Sequence, residues 1–187
     1  MSDCTKKKEA YMQVQKAAEN DGMTGLYNRS TIERMIRSEL NDSSEKSCIF
    51  ALLDLDNLKR INDTMGHAQG DRAIRSIAHA LKRHFRKSDL IGRAGGDEFI
   101  IFLPEISYPD AKEAINASFA SLIQEVSNCP IGEHNEEMLH CCIGCTAGTG
   151  RRDSFTTLYK RADIALYSIK RQGKDNFAFY SEIMRKK

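Results

Sequence analysis

Two short stretches concentrate carboxylates where a chain could use them. Asp54 and Asp56 close the apolar run Cys48-Ile49-Phe50-Ala51-Leu52-Leu53, and Asp97 and Glu98 follow the pair Gly95-Gly96. Carboxylates brought close together repel one another. A hard cation such as Mg2+ relieves that cost when one or two of them bind it together with substrate phosphates. Gly95 and Gly96 suit the same purpose, because residues without Cβ adopt positive φ and let a phosphate approach the backbone. Alone, Gly-Gly-Asp reads equally well as a surface turn. Its weight comes from Asp54 and Asp56, provided the fold brings the two stretches side by side.

The surrounding elements are those that would do so. An unbroken apolar run such as Cys48 to Leu55 predicts a central strand buried on both faces, with Asp54 at its end, where open sheets place their ligands. Leu90 to Leu103 predicts a hairpin whose tip is the glycine pair and whose second arm is Phe99-Ile100-Ile101-Phe102-Leu103. Helices are expected over 31–40 with Ser30 as N-cap, over 57–64 up to Gly66, over a longer stretch containing Ile74, Ile77, Ala78, Leu81 and Phe85, and over 111–126 and 155–170. Further strands are expected over 139–147, paired with a short one near Ile131, and over 177–180. Strands alternate with helices except at the hairpin. The predicted fold class is therefore α/β (α+β), a mixed central sheet with flanking helices.

Composition narrows the function classes. The chain has 187 residues, 41% hydrophobic and 29% charged, with a formal net charge of +2. That is a globular balance for one domain, and the charge is too small to argue for a nucleic-acid polymer or an anionic membrane as partner. No apolar run approaches the roughly 20 residues of a membrane span, and Lys6-Lys7-Lys8 is not followed by a leader-like stretch. The expected location is cytoplasmic, and the six cysteines are then expected as reduced thiols. Cys141, Cys142 and Cys145 lack zinc-knuckle spacing and alternate along a strand, so they are read as small apolar side chains.

Four separated blocks, taken in order, resemble one family. Arg93-Ala94-Gly95-Gly96-Asp97-Glu98-Phe99 carries the signature of the GGDEF domain, the diguanylate cyclase family. Asp21-Gly22-Met23-Thr24-Gly25-Leu26-Tyr27-Asn28-Arg29 resembles its opening motif, Asp54 to Asp71 its metal and guanine block, and Ala162 to Tyr167 with Lys170 and Gly173 its last helix. The resemblance runs from about Asp21 to Tyr180. It implies a fold similar to nucleotide cyclases and polymerase palm domains. The implied activity is condensation of two GTP into cyclic di-GMP with release of pyrophosphate, across a homodimer in which each protomer holds one GTP.

The resemblance also implies roles. Asp54, the Leu55 carbonyl, Asp97 and Glu98 would hold Mg2+, or Mn2+ in its place, with Asp97 the base for the 3′-hydroxyl. Lys59 would offset charge on the phosphates. Asn62 and Asp71 would read guanine, because a carboxylate accepts from its N1–H and N2–H. His67, Gly95, Gly96, Lys170 and Lys174 complete the expected GTP contacts. Lys59 with Asp63 also fits a plain i,i+4 pair, Asn62 a helix-end cap, and His67 a structural role. Where the family usually has Gly-Arg-Asn, this chain has Gly173-Lys174-Asp175-Asn176, which keeps the charge, loses the guanidinium fork and inserts Asp175. Arg86-Lys87-Ser88-Asp89 matches the family's Arg-x-x-Asp inhibitory site, at which Arg86 and Asp89 would bind the product.

The expected organisation is a linker or signalling helix over 1–20, the cyclase domain over 21–183 and a basic tail over 184–187, with a sensor domain upstream in the parent protein. Two other classes stay open: a catalytically silent receptor for cyclic di-GMP or GTP, and a cyclase making a mixed dinucleotide.

Overall fold

The central strand forms where the apolar run predicts it. Ser47–Leu55 pairs on both edges, and its side chains alternate between two buried clusters: Ile49, Ala51, Leu53 and Leu55 on one side, Cys48, Phe50 and Leu52 on the other. A strand covered on both faces needs that uninterrupted apolar pattern. The computed structural model describes residues 18–42, 46–132, 137–171, 173 and 175–180. The expected linker helix, apart from residues 18–20, and the basic tail lie outside the described residues.

The elements run β1 (Tyr27–Asn28), α1 (Arg29–Asp42), β2 (Ser47–Leu55), α2 (Leu58–Met65), α3 (His67–His84), β3 (Leu90–Gly95) and β4 (Glu98–Leu103). Then come α4 (Tyr108–Ser127), β5 (Pro130–Ile131), β6 (Glu137–Met138), β7 (Cys141–Thr149), α5 (Phe155–Lys170) and β8 (Asn176–Phe179). Six strands form one mixed sheet in the order β1-β3-β4-β2-β7-β8, antiparallel except for the outer pairs β1/β3 and β7/β8. Helices α2, α3 and α4 supply the core on one face, and α1 and α5 on the other.

Helix α5 lies unusually close to the sheet. A Cβ added at Gly144 would sit 2.2 Å from the Ala162 carbonyl oxygen and 2.3 Å from the Leu166 nitrogen. The absence of a side chain there sets the height at which α5 crosses β7. The cysteines follow the strand alternation: Cys141 and Cys145 face the first cluster and Cys142 the second, all buried.

Two expectations are corrected. Helix α1 begins at Arg29, so Ser30 lies inside its first turn. The cap is Asn28, whose Oδ1 accepts from the Thr31 amide at 3.0 Å and from the Ser30 hydroxyl at 2.9 Å. Ile131 pairs with Glu137 in a separate two-stranded ribbon rather than with β7, because β2 and β8 already occupy both edges of β7. No helix among the described residues is long and apolar enough to cross a membrane.

Candidate active site

The register of the sheet brings the two acidic stretches together. Asp54 is directly opposite Glu98 on β4 and Cys142 on β7, and the Leu55 amide donates to the Asp97 carbonyl at 3.1 Å. The side chains of Asp54 and Glu98 share the α1/α5 face, and two α5 side chains meet them there. The Lys170 ammonium lies 2.6 Å from Asp54 Oδ1, and the Tyr159 hydroxyl donates to Glu98 Oε1 at 2.7 Å.

The electrostatics follow from burial and crowding. Burial pushes the Asp54 carboxyl up to about 6. Its bond to Lys170 opposes the rise, and the charges of Asp97 and Asp56 reinforce it. Pairing alone would predict a lowered carboxyl, so desolvation outweighs the ion pair. Burial acts to lower the Lys170 ammonium, but the bond to Asp54 and the charges of Asp54, Asp56 and Asp97 hold it above its ordinary value. The Tyr159 phenol is pushed up to about 12 by burial and by its bond to Glu98. Four carboxylates, Asp54, Asp56, Asp97 and Glu98, thus share one end of the sheet, and Lys170 is the ammonium that pairs with Asp54 there. That end of the sheet is short of positive charge, although among the described residues no three His, Cys, Asp or Glu side chains gather closely enough to hold a metal ion by themselves. A divalent cation there would need ligands beyond these carboxylates, such as substrate phosphates.

The hairpin tip is held by a residue to which the sequence reading gave no role. Gly95 (φ 147°) and Gly96 (φ 51°) adopt left-handed conformations with open space where a Cβ would stand, so backbone geometry rather than crowding requires glycine there. A register shift between Arg93 and Gly95 re-aims the strand. The Arg93 guanidinium donates to the Gly96 carbonyl at 2.7 and 3.1 Å and to both oxygens of Asp21 at 3.3 Å. Asp21 in turn accepts from the Thr24 amide at 2.9 Å and hydroxyl at 2.7 Å. Burial pushes Asp21 up, but these bonds outweigh it and hold the carboxyl below its ordinary value. The opening motif and the signature are therefore one hydrogen-bonded unit.

The other predicted residues fall into three places. Lys59 is exposed on α2, which leaves β2 through Asn57 at φ 60°. Asn62 turns its side chain toward α3: a Cβ at Gly70 would lie 2.0 Å from Asn62 Oδ1. His67 is exposed at the start of α3, and Asp71 is half exposed, 4.0 Å from the Arg75 guanidinium. Asn62 and Asp71 are thus grouped at the α2/α3 junction, one short helix away from Asp54. Lys174 lies outside the described residues.

Arg86 and Asp89 lie apart from this group. They form a turn in which Asp89 Oδ2 accepts from the Arg86 amide at 2.8 Å, leaving the Arg86 side chain exposed. The turn precedes β3, whose opposite end is Gly95, roughly 17 Å away at the rise of a strand. It lies between two clefts of about 450 and 290 Å3, the first also lined by His84, Leu103, Asp110 and Ser118 and the second by Tyr27, Lys82 and Lys87.

Comparison with known proteins places this geometry in a family. The family described as "Diguanylate cyclase, GGDEF domain" matches residues 18–176. The diguanylate cyclase DgcP of Pseudomonas aeruginosa is 34% identical over 166 residues, 87% of this chain and 24% of its own length. The probable diguanylate cyclase DgcC of Escherichia coli K12 is 32% identical over 173 residues, 91% of this chain and 46% of its own. The chain therefore spans between a quarter and a half of these relatives. The coiled coil and GGDEF domain of DgcB from Caulobacter crescentus, solved in complex with c-di-GMP, superposes with a TM-score of 0.83 at 25% identity, covering 94% of this chain and 93% of that one. The chain belongs to the GGDEF-domain family of diguanylate cyclases.

Proposed function

We propose that this domain condenses two GTP into cyclic di-GMP and pyrophosphate. The observation that carries the reading is the charge-starved end of the sheet. There the charges of Asp97 and Asp56 act on Asp54, which burial and these neighbours push up to about 6, and Lys170 reaches in at 2.6 Å. Asp54, the Leu55 carbonyl and Asp97, supported by Glu98, would hold Mg2+. When bound, the cation supplies charge neutralisation for the phosphates.

The rest is the work of the chain. Asp71 accepts from the guanine N1–H and N2–H, and Asn62, beside it at the α2/α3 junction, contacts the same base. His67 lies near the nucleotide. Lys59, Lys170 and Lys174 offset charge on the triphosphate. Gly95 and Gly96 present backbone at a tip that Arg93 holds rigid. Asp97 takes the proton of the 3′-hydroxyl of one GTP as that oxygen bonds to the α-phosphorus of the other. The α-to-β phosphoanhydride bond then breaks and pyrophosphate leaves. A second, symmetric attack closes the ring. Each protomer holds one GTP, so the reaction requires two domains face to face. Arg86 and Asp89, with their guanidinium and carboxylate, bind the product away from the reacting groups, and the bound product holds dimers in an unproductive arrangement.

The intact Asp54, Asp97 and Glu98 favour catalysis over a silent receptor, and Asp71 favours GTP over a mixed product. Incubation with GTP, ATP or both plus Mg2+, followed by identification of the dinucleotides, tests all three. The expected product is cyclic di-GMP from GTP alone. Its absence at high protein concentration would refute the proposal.

A further inference from the structure

Asp175 ties the chain after α5 to the start of β7. It adopts a left-handed conformation, φ 54°, in the connection between α5 and β8. Its Oδ1 accepts from the Cys141 amide at 3.2 Å, and its Oδ2 is hydrogen-bonded to the His140 ring Nδ1. The His140 carbonyl accepts from the Asp56 amide at 2.8 Å. Two further contacts run in parallel: the Cys142 thiol reaches Asp56 Oδ2 at 3.4 Å and the Gly173 carbonyl at 3.8 Å. The Gly173 amide donates back to the Ile169 carbonyl at 3.2 Å, on the last turn of the helix that ends in Lys170.

We infer that Asp175 is a positioning residue that clamps the connection after α5 onto the carboxylate-bearing end of β2, and so fixes where Lys170, at the end of that helix, meets the phosphates. The inference rests on reading that end as the GTP site. The β7/β8 ladder begins at Cys142 with Asn176 and continues through Cys145 with Phe179, so it does not depend on the Asp175 side chain. Removing the carboxylate frees the loop without unpairing the strand. A residue that only stabilised the fold would act on folding and leave nucleotide affinity alone. A clamp acts on ground-state placement of the triphosphate and raises KM with little change in kcat.

The backbone conformation dictates the variants. Asp175→Gly accepts the left-handed conformation and removes the clamp, whereas alanine there would add strain. Asp175→Asn keeps an oxygen for the Cys141 amide and loses the charge facing His140. In the purified chain, initial rates against GTP concentration are measured alongside thermal unfolding and amide hydrogen exchange of Cys141. Expected for Asp175→Gly are a KM about tenfold higher, the effect of losing a charge-assisted hydrogen bond, a kcat within about twofold, and much faster exchange at Cys141. Asp175→Asn should fall between this variant and the parent in KM. An unchanged KM in a folded Asp175→Gly protein, or in Asp175→Asn if the glycine variant does not fold, overturns the inference. So does unchanged exchange at Cys141. If the parent turns over no GTP, the proposed reaction fails instead, and the exchange measurement alone judges the clamp: faster exchange at Cys141 supports it and unchanged exchange refutes it.

Discussion

Neutralising Asp54 should stabilise the metal-free protein, although it destroys the proposed metal site. Its carboxyl is raised from the ordinary 3.8 to about 6, which corresponds to roughly 3 kcal/mol of unfavourable ionisation in the fold. The raised value already includes the ion pair with Lys170, so that pair is not counted again. Below pH 3.8 both folded and unfolded states carry the proton and there is no cost. Between there and about 6 the folded state keeps a proton the unfolded state has lost, so stability falls as pH rises. Above 6 the full cost is present. Asp54→Asn should therefore gain about 3 kcal/mol at pH 8 and almost nothing at pH 3.5, relative to the parent at each pH. For a domain of this size that is a rise in Tm of roughly 6–12 °C. The assay is thermal and urea unfolding in EDTA, followed by circular dichroism. Added Mg2+ at 100 times its Kd should then stabilise the parent by about 2.7 kcal/mol and leave the variant unmoved. A variant less stable than the parent at pH 8, or a gain of equal size at both pH values, would refute the electrostatic reasoning.

Gly70→Ala should weaken guanine recognition, because the new methyl group displaces the Asn62 side chain, whose Oδ1 lies 2.0 Å from its position. A rise in KM for GTP of about tenfold with little change in Tm is expected from steady-state rates and unfolding curves. Gly144→Ala should cost about 3 kcal/mol or more in urea unfolding, since its Cβ meets helix backbone that cannot rotate away. Tyr159→Phe keeps the ring against Phe50 and Phe155 but leaves Glu98 without its donor. It should lower kcat about tenfold and raise the Mg2+ concentration for half-maximal rate, with Tm within a few degrees of the parent. Arg86→Ala should leave initial rates unchanged and abolish the slowing of progress curves as cyclic di-GMP accumulates, and calorimetry should show product binding lost.

What was legible in the sequence is what local chemistry writes locally. The run ending in Asp54 could only be a strand buried on both faces, and the glycine pair between two apolar arms could only be a hairpin tip. That the two strands are neighbours is a condition the local pattern does not supply, and it is the sheet register that brings Asp54 opposite Glu98. The resemblance placed Asn62, Asp71 and Lys170 by motif, and the fold groups the first two at the α2/α3 junction and brings Lys170 onto Asp54. The illegible contacts join distant residues. Arg93 meets Asp21 across 72 positions, Tyr159 meets Glu98 across 61, and His140 meets Asp175 across 35. Nothing near Tyr159 distinguishes it from its core neighbours Phe155 and Leu158, because an aromatic at helical spacing reads as packing. Ser30 misled for a simpler reason: Asn28 and Ser30 are both good caps, and the parallel pairing of β1 with β3, which ends at Asn28, decides between them.

The central claim is that the carboxylate end of the sheet performs phosphoryl chemistry on GTP. Its most direct test is the product formed from GTP and Mg2+ at high protein concentration, compared between the parent and Asp97→Ala. The account predicts cyclic di-GMP and pyrophosphate from the parent and neither from Asp97→Ala, with cyclic di-GMP still bound by the variant through Arg86 and Asp89. A parent that makes no cyclic di-GMP while dimeric and saturated with GTP, or an Asp97→Ala protein that turns over at the parent's rate, would contradict it.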